Sequence, residues 1–445
     1  MSDAVSPSTA LPSTSPPTVQ KRHLRRVVLA SLIGTTIEYY DFAVYGTAAA
    51  LVLGPLFFPS ESATASTLAA FLTFAAAFLA RPLGVMMFGT LGDRVGRKPA
   101  LVAALLLMGA ATVTVGLLPT YETIGVMAPV LLVVCRVLQG VSLGGEWGGA
   151  VLLAAEHAPP HKRALFASIP QMGPLLGFLL SSAVLIPLID IVGMQQFRAW
   201  AWRIPFLISA VLVIVGLWVR SRVGESPQFA AAERTAPAAR FPLVTLVQRS
   251  PRRLMLAIGS AVGGSALYYL TIVYTLSYAP TELGIPQRSV LAAISAGAVV
   301  AALVMVPFAR WADRVGRRPV MVYGMAGSVV WALPMFGSLS TRNIWLITVA
   351  FIIGQVLQIM TFSPMAAFMA ELFPARLRYT GASAAFILAN TIGGGFAPLV
   401  ASWLTTLWES PLVLGVYVSM LCLVSLVCVV KLPETRDEEF DVRES

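Results

Sequence analysis

Five charged residues stand inside long apolar runs of this sequence, where a charge is costly to bury. They are Glu38 and Asp41 in residues 27–53, Arg81 in residues 68–91, and Arg136 and Glu146 in residues 124–152. A charge in the middle of such a run costs roughly 2.5 kcal/mol or more, so it requires a partner or a function. These residues are therefore the first candidates for chemistry.

The two acidic residues of the first run are spaced for proton transfer. Glu38 and Asp41 are three residues apart, which places them on one face of a helix. Glu38 lies near the middle of the run. Two carboxylates this close in a medium of low dielectric should not both be ionised, so one of them can take up and release a proton. We predict that the pair couples proton movement to the function; the alternative is a structural pairing with Arg81 or Arg136.

The two buried arginines are suited to negatively charged partners. Arg136 cannot lose its proton, and its five donors fit a carboxylate held by two hydrogen bonds. It can bind an anionic solute, hold Glu38 or Asp41 ionised until that solute arrives, or form a permanent ion pair. We assign Arg81 and Glu146 as charge partners.

In the second half of the chain, the middle of each apolar run holds no charged residue. Neutral polar and aromatic residues stand there instead. Such groups suit a solute with hydroxyls or a ring, although each alone would also serve as a hydrogen bond between helices. The predicted solute-binding residues are Tyr45, Arg136, Gln139, Gln171, Tyr268, Tyr269, Gln355 and Asn390. We expect proton and charge chemistry in the first half, and solute recognition shared with the second.

The composition indicates what kind of protein holds these residues. Of 445 residues, 57% are hydrophobic and only 12% are charged, whereas a soluble domain carries roughly 25% charged residues. Apolar runs of about 20 residues, long enough to cross a bilayer, follow one another along the chain. The sequence therefore predicts an all-α membrane protein. Its net charge of +10 resides in the turns rather than in one patch, which argues against a nucleic-acid partner.

Two copies of one basic turn indicate a duplication. Residues 89–99 read GTLGDRVGRKP, and residues 309–319 read ARWADRVGRRP. Twelve predicted transmembrane helices divide into two six-helix bundles, and corresponding turns face the same side. The bundles are therefore parallel repeats about an axis along the membrane normal. The predicted regions are a disordered tail 1–26, a bundle 27–222, a linker 223–252, a bundle 253–431 and a tail 432–445.

The basic residues predict the orientation. Of the 31 Lys and Arg residues, 25 fall on the side that holds both termini and four fall on the opposite side. Cytoplasmic connections carry such an excess. We therefore expect both termini in the cytoplasm and the protein in the cell membrane.

The repeated turns are predicted to form a cytoplasmic gate. Asp93 and Asp313 interrupt otherwise basic sequences, and each can sit at the N-terminus of a helix in the other half. Asp93 is expected to pair with Arg376 or Arg378, and Asp313 to lie near Arg163. The alternative is a solvated turn that only sets the orientation. The predicted gate residues are Asp93, Arg94, Arg97, Arg163, Asp313, Arg314, Arg317, Glu371 and Arg378.

Four ordered motifs resemble one transporter family. They are the stretches from Glu38 to Gly46, from Arg81 to Gly84, from Gly89 to Lys98 and from Arg136 to Gly149. The third resembles the signature of the major facilitator superfamily. The set is similar to the metabolite:proton symporter branch, and most of all to the shikimate transporter type. The short stretch after the last run leaves no room for the coiled coil of the osmosensing proline/betaine member, which disfavours that relative.

The resemblance implies a proton-coupled symporter for a small organic acid such as shikimate or 2-oxoglutarate, working by alternating access. The proton is the expected coupling ion, and no catalytic residue, metal or other cofactor is predicted. The expected partners are the solute, protons and the lipid bilayer, and one chain is expected to function as a monomer. Proton-driven efflux of a drug-like or anionic compound is the alternative. A receptor or sensor is disfavoured, because no soluble signalling domain is recognisable, and no enzymatic activity is predicted.

Overall fold

The computed structural model describes residues 17–60, 63–95, 97–144, 147–156, 158–221, 246–248, 250–374 and 377–436. The description does not extend to some side chains within these ranges. The predictions for Asp93, Arg94 and Arg97 rest on such side chains, and Glu146 and Arg376 lie outside the described residues.

Twelve apolar helices form the described part of the chain. Eleven are long and apolar enough to cross a membrane, and one, Arg203–Val219, is shorter. In the first half they are α1 Val28–Phe57, α2 Ala65–Phe88, α3 Pro99–Leu117, α4 Met127–Gly149, α5 Arg163–Ala201 and α6 Arg203–Val219. In the second half they are α7 Pro251–Leu283, α8 Gln287–Val315, α9 Arg317–Thr341, α10 Ile344–Glu371, α11 Thr380–Trp408 and α12 Leu412–Lys431. The predicted fold class is confirmed.

The helical backbone of α1 extends beyond its apolar segment. It begins at Pro17, where a disordered tail up to residue 26 was predicted. Proline is tolerated in the first turn of a helix, because its missing N–H would have no intrahelical partner there. The helix therefore starts ten residues before the apolar run.

The duplication is also visible in the irregularities of the helices. A π-helical turn at Ala49–Leu53 in α1 corresponds to one at Leu270–Tyr274 in α7. Gly316, in the second basic turn, has φ +112°, which a residue with a side chain rarely adopts. A glycine is thus required where α8 turns into α9.

Close packing of α2 against α4 fixes the positions of the buried arginines. A Cβ atom on Gly140 would collide with the backbone of Ala77, and one on Gly144 with the backbone of Arg81. Gly84 likewise approaches the backbone of Val141. Small residues at a membrane-helix interface allow such contact, so Arg81 on α2 is held close beside α4.

Large apolar side chains cover the outer faces of the helices. Leu303 and Val330, for example, are each 71% exposed. Apolar side chains exposed on this scale are suited to hydrocarbon rather than water. The polar side chains of interest are instead found between the helices.

Candidate functional site

The two halves enclose a central cavity. It is lined by Tyr39 and Pro174 of the first half and by Tyr268, Gln358 and Asn390 of the second. Its volume is about 20 Å³, which is room for little more than one water molecule. A solute of metabolite size therefore requires the halves to move apart.

Three of the predicted solute-binding residues, Tyr268, Tyr269 and Asn390, line this cavity. The Tyr268 hydroxyl donates to the Pro174 carbonyl oxygen of the other half at 3.2 Å. Asn390 Nδ2 donates to the Phe386 carbonyl oxygen at 2.9 Å. Separation of the halves would break the Tyr268 hydrogen bond and free its hydroxyl for a solute.

A second cavity adjoins the first, because Tyr39 and Phe386 line both. Glu38, Arg81 and Trp147 also line it. Glu38 is 2% exposed and Arg81 is 3% exposed. Glu38 Oε1 and the Nε and Nη2 atoms of Arg81 are buried with no hydrogen-bond partner among the described residues. Since an unsatisfied buried polar group is costly, this cavity is suited to a polar occupant.

The Arg81 guanidinium lies over aromatic rings. Its Cζ atom is 3.9 Å from the centre of the Phe78 ring and 5.1 Å from that of Phe42. Attraction between the guanidinium and the ring faces offsets part of the cost of burying this charge. Among the described residues, Arg81 forms no ion pair with Glu38, which disfavours the alternative of a structural pairing between them; the assignment of Arg81 as a charge partner stays a prediction.

A different set of polar groups surrounds Asp41. Ser209 of α6 donates to Asp41 Oδ1, and Thr112 of α3 donates to Oδ2 at 3.1 Å. Gln139 Nε2 donates to Thr112 Oγ1 at 2.8 Å, and Arg136 Nη1 donates to Gln139 Oε1 at 2.6 Å. These five residues, which we call the Asp41 network, join a buried carboxylate to a buried guanidinium through neutral side chains.

Arg136 is enclosed by this network and by aromatic rings. Its Cζ atom is 3.7 Å from the centre of the Tyr45 ring, and the Phe42 and Phe74 rings lie farther away at 5.4 and 5.5 Å. Arg136 is not among the residues that line either cavity. The structure thus places Arg136, Tyr45 and Gln139 outside the lining of both cavities in this conformation, and their assignment as solute contacts stays a prediction.

The two acidic residues of α1 do not share an environment. Asp41 faces Thr112 and Ser209, whereas Glu38 faces the second cavity with Arg81. The two carboxylates therefore do not form one pair in this conformation, and their assignment to proton coupling stays a prediction. Three residues along a helix turn the side chain by about 60° from its starting direction, which is enough to reach different neighbours.

Two further predicted solute residues lie away from both cavities. Gln355 Nε2 donates to the Ile294 carbonyl oxygen at 3.1 Å, joining α10 to α8. Gln171 accepts from Trp147 Nε1 at 3.0 Å and donates to the Phe362 carbonyl oxygen at 3.2 Å. Gln355 therefore forms a hydrogen bond within the second half, and Gln171 forms one that joins the two halves. The assignment of both as solute residues stays a prediction.

The halves also meet at the second basic turn, residues 313–318, which marks what we call the basic end. Asp313 accepts from the backbone N–H groups of Ala164 and Leu165 at the start of α5, both at 3.0 Å. A carboxylate at a helix N-terminus satisfies unpaired N–H groups and is favoured by the helix dipole. Asp313 thus lies beside Arg163, where it was predicted to lie, and its action as a gate stays a prediction.

Arg317 extends this contact into the second half. Its Nη1 is 3.2 Å from Asp313 Oδ1. Its Nε and Nη2 hold the two carboxylate oxygens of Glu371 at 3.2 and 3.1 Å. Arg314, by contrast, is exposed, and no hydrogen bond or ion pair of Arg314 occurs among the residues described. Its assignment to the gate stays a prediction.

Two more predicted gate residues, Arg163 and Arg378, are buried at the basic end. Arg378 Nε donates to the Ala370 carbonyl oxygen at 3.0 Å, which fastens the start of α11 to the end of α10. The Asp93 turn, which would be its cross-half partner, lies outside the described side chains.

The opposite end is also closed. Arg288 of the second half pairs with Asp190 of the first at 3.2 Å, and the Phe71 and Tyr274 rings face each other at 6.2 Å. Among the described residues, the halves thus make contact at both ends, with a small cavity between them.

The sequence comparison decides the family. The family model of the Major Facilitator Superfamily matches residues 31–378 and residues 256–445. The chain belongs to the Major Facilitator Superfamily. It is therefore a multi-pass membrane transporter.

Metabolite transporters of known bacteria are similar to it along most of its length. The inner membrane metabolite transport protein YhjE of Escherichia coli (strain K12) is 43% identical over 419 residues, covering 93% of this chain and 95% of the relative. The shikimate transporter of that organism is 37% identical over 418 residues, covering 92% and 94%. Its proline/betaine transporter is 32% identical over 421 residues, covering 93% and 84%. The predicted resemblance is confirmed.

Solved structures show the same fold. The xylose transporter XylE from E. coli, in a partially occluded inward open conformation, matches with a TM-score of 0.74 at 18% identity, covering 94% of this chain and 100% of that chain. XylE bound to 6-bromo-6-deoxy-D-glucose, a proton:xylose symporter, matches with a TM-score of 0.72 at 19% identity, covering 94% and 97%.

Sequence reasoning missed several residues at the centre of this transporter. Thr112 and Ser209 hold Asp41, but hydroxyl residues are common in apolar helices and usually bond to their own backbone, so no pattern marks them. Trp147 and Phe386 stack across the halves at 3.8 Å between ring centres. An aromatic residue in a glycine-rich stretch was the only signal for that contact.

Glu434, just after α12, was missed as well. Its carboxylate accepts from the backbone N–H groups of Arg317 and Arg318 at 2.9 Å each, and the neighbouring Thr435 donates to Glu371 at 2.6 Å. Residues assigned to the tail 432–445 therefore begin as part of the basic end.

Proposed function

We propose that this transporter takes up a small organic acid together with protons, by alternating access of its two halves. The observation that carries the proposal is the Asp41 network. Asp41 is fully buried, and its described hydrogen-bond partners are the Thr112 and Ser209 hydroxyls rather than a cation. A carboxylate in such surroundings can hold a proton in one conformation and release it in another.

The buried charges and the cavity support an acid as the solute. Arg81 and Arg136 place two permanent positive charges near the centre of the first half. Tyr268, Gln358 and Asn390 add neutral polar groups from the second half, which suit hydroxyls or a ring. The similarity to a shikimate transporter agrees with an acid such as shikimate or 2-oxoglutarate.

The contacts at the two ends support alternating access. Uptake requires the Asp190–Arg288 end to open first and the Asp313 contact at the basic end to open later. We propose that protonation at Asp41 and binding of the acid together permit this change, and that neither alone suffices. From the excess of basic residues, the basic end and both termini face the cytoplasm of the cell. A single chain encloses the cavity, which supports the monomer as the functional unit.

Proteoliposomes with an imposed pH gradient test the proposal. With an alkaline lumen, labelled shikimate or 2-oxoglutarate should accumulate several-fold above its external concentration, because each pH unit can drive about tenfold accumulation per proton. A protonophore should abolish the accumulation, and protein-free liposomes are the control. Retention that rises when the protonophore is added would instead indicate efflux. Uptake that does not depend on the pH gradient would contradict proton coupling.

A further inference from the structure

We infer that Arg81, and not Arg136, binds the carboxylate of the solute, with Glu38 beside it as the acceptor for a solute hydroxyl. This inference rests on the proposed function, because it identifies where the transported acid is held. It also specifies the solute as a hydroxylated carboxylate.

The free edge of the Arg81 guanidinium is the first argument. Nε and Nη2 form one side of the guanidinium, and two parallel hydrogen bonds from such a side hold a carboxylate. Arg317 of this same chain holds Glu371 in this way, with its Nε and Nη2 at 3.2 and 3.1 Å from the two oxygens. Arg81 presents the same two atoms, buried and with no partner among the described residues, at the wall of the second cavity.

The Glu38 carboxylate is the second argument. Its Oε1 atom is buried without a hydrogen-bond partner in the described structure, and it lines the same cavity as Arg81. Because these two groups do not pair with each other, each is available to a different part of one solute. The carboxylate of the solute suits Arg81, and a hydroxyl suits Glu38.

The proximity of the two cavities is the third argument. Tyr39 and Phe386 line both, so once the halves move apart, a solute held at Arg81 can extend past these two side chains towards Tyr268 and Asn390. The charged end of the solute then faces the first half, and its hydroxylated body faces the neutral groups of the second half.

Arg136 also has unpartnered Nε and Nη2 atoms, but it is placed for another role. It lies against the Tyr45 ring and donates to Gln139, and neither cavity is lined by it. Its hydrogen bonds lead to Asp41. Arg136 is therefore a positioning residue of the Asp41 network.

A cationic solute fits this site poorly. A quaternary ammonium group would require aromatic faces, but Arg81 and Arg136 already lie 5.1 and 5.4 Å from the centre of the Phe42 ring. A third positive charge beside these two would be repelled.

Ligand-induced thermal stabilisation of the purified protein tests the inference without requiring transport. The probes are shikimate and its methyl ester, which keeps the ring and hydroxyls and loses the charge. The wild type should bind the acid roughly 10- to 100-fold more tightly than the ester, as expected for two charge-assisted hydrogen bonds. Arg81→Gln should reduce this ratio to about 1, whereas the matched variant Arg136→Gln should keep it, even where its transport fails.

Arg81→Lys keeps the experiment decisive if Arg81→Gln does not fold. A lysine keeps the charge and loses the two-atom edge, so the acid-to-ester ratio should fall below that of the wild type. An unchanged ratio in the Arg81 variants, or a ratio lost in Arg136→Gln, would overturn the inference. Tighter binding of glycine betaine than of shikimate would overturn the solute class. A wild type that neither binds nor accumulates any acid contradicts the proposed function itself, which separates the two failures.

Discussion

Asp41 and Glu38 lie three residues apart on one helix, and their carboxylates differ in the number of oxygens that have a hydrogen-bond donor. Both oxygens of Asp41 have hydrogen-bond donors, and those donors lead to Arg136 through neutral side chains. Glu38 keeps one buried oxygen without a partner, beside a cavity. A satisfied carboxylate away from the cavities can exchange a proton without touching the solute, and an unsatisfied one at a cavity wall is available to the solute. This difference is the basis of our proposal that proton coupling and solute binding reside in separate groups.

Among the substitutions that test this difference, Asp41→Asn should have the largest effect. Asparagine has the size of aspartate, and its carboxamide oxygen can still accept a hydrogen bond, but the side chain cannot take up or release a proton. In proteoliposomes with an alkaline lumen, the ratio of internal to external acid should fall to about 1, because each lost proton removes about tenfold of accumulation per pH unit. Exchange of labelled for unlabelled acid at equal pH should persist.

Glu38→Gln is the matched control on the same helix. It should retain accumulation driven by the pH gradient and lose affinity, with KM for the acid raised roughly tenfold by the changed hydrogen bond. If Glu38→Gln abolished coupling while Asp41→Asn kept it, the two roles would have to be exchanged.

A smaller effect is expected at the basic end. Asp313→Ala removes the carboxylate that caps α5 from the other half, a contact of about 1–2 kcal/mol. The basic end should open more often. Ser168 is buried in α5, four residues after Ala164, so it reports on this opening. Alkylation of a cysteine introduced as Ser168→Cys, in a background without the native cysteines, should be roughly 5- to 30-fold faster.

Asp190→Ala at the opposite end is the control for this prediction. The Arg288–Asp190 pair is 65% and 38% exposed, and exposed ion pairs contribute little, so alkylation at residue 168 should not accelerate. Equal acceleration by both variants would show that Asp313 does not hold the basic end in particular.

The smallest effect is expected in the central cavity. Tyr268→Phe removes one hydroxyl, so affinity for a hydroxylated acid should fall roughly 2- to 10-fold. Gln355→Met, a change within the second half, should leave that affinity unaltered. A larger loss in Gln355→Met than in Tyr268→Phe, measured by thermal stabilisation, would return Gln355 to the solute site.

Apolar runs and the repeated basic turn were sufficient to predict twelve helices in two parallel bundles, because membrane spans require long apolar segments. The place of Asp313 was predictable from one acid inside a basic turn. The separate environments of Glu38 and Asp41 were not predictable, because helical spacing indicates on which face of its helix a residue lies but not which neighbouring helix it contacts. The same limit applies to Gln355, whose neighbour Ile294 is set by packing.

Proton movement during solute entry tests the central claim most directly. Wild-type and Asp41→Asn proteoliposomes, at equal internal and external pH, are given the acid while a dye reports the pH of the lumen. We predict that the lumen of wild-type vesicles acidifies as the acid enters, and that Asp41→Asn vesicles exchange the acid with no such change. Acidification of equal rate and extent in Asp41→Asn would contradict the assignment of the proton to Asp41.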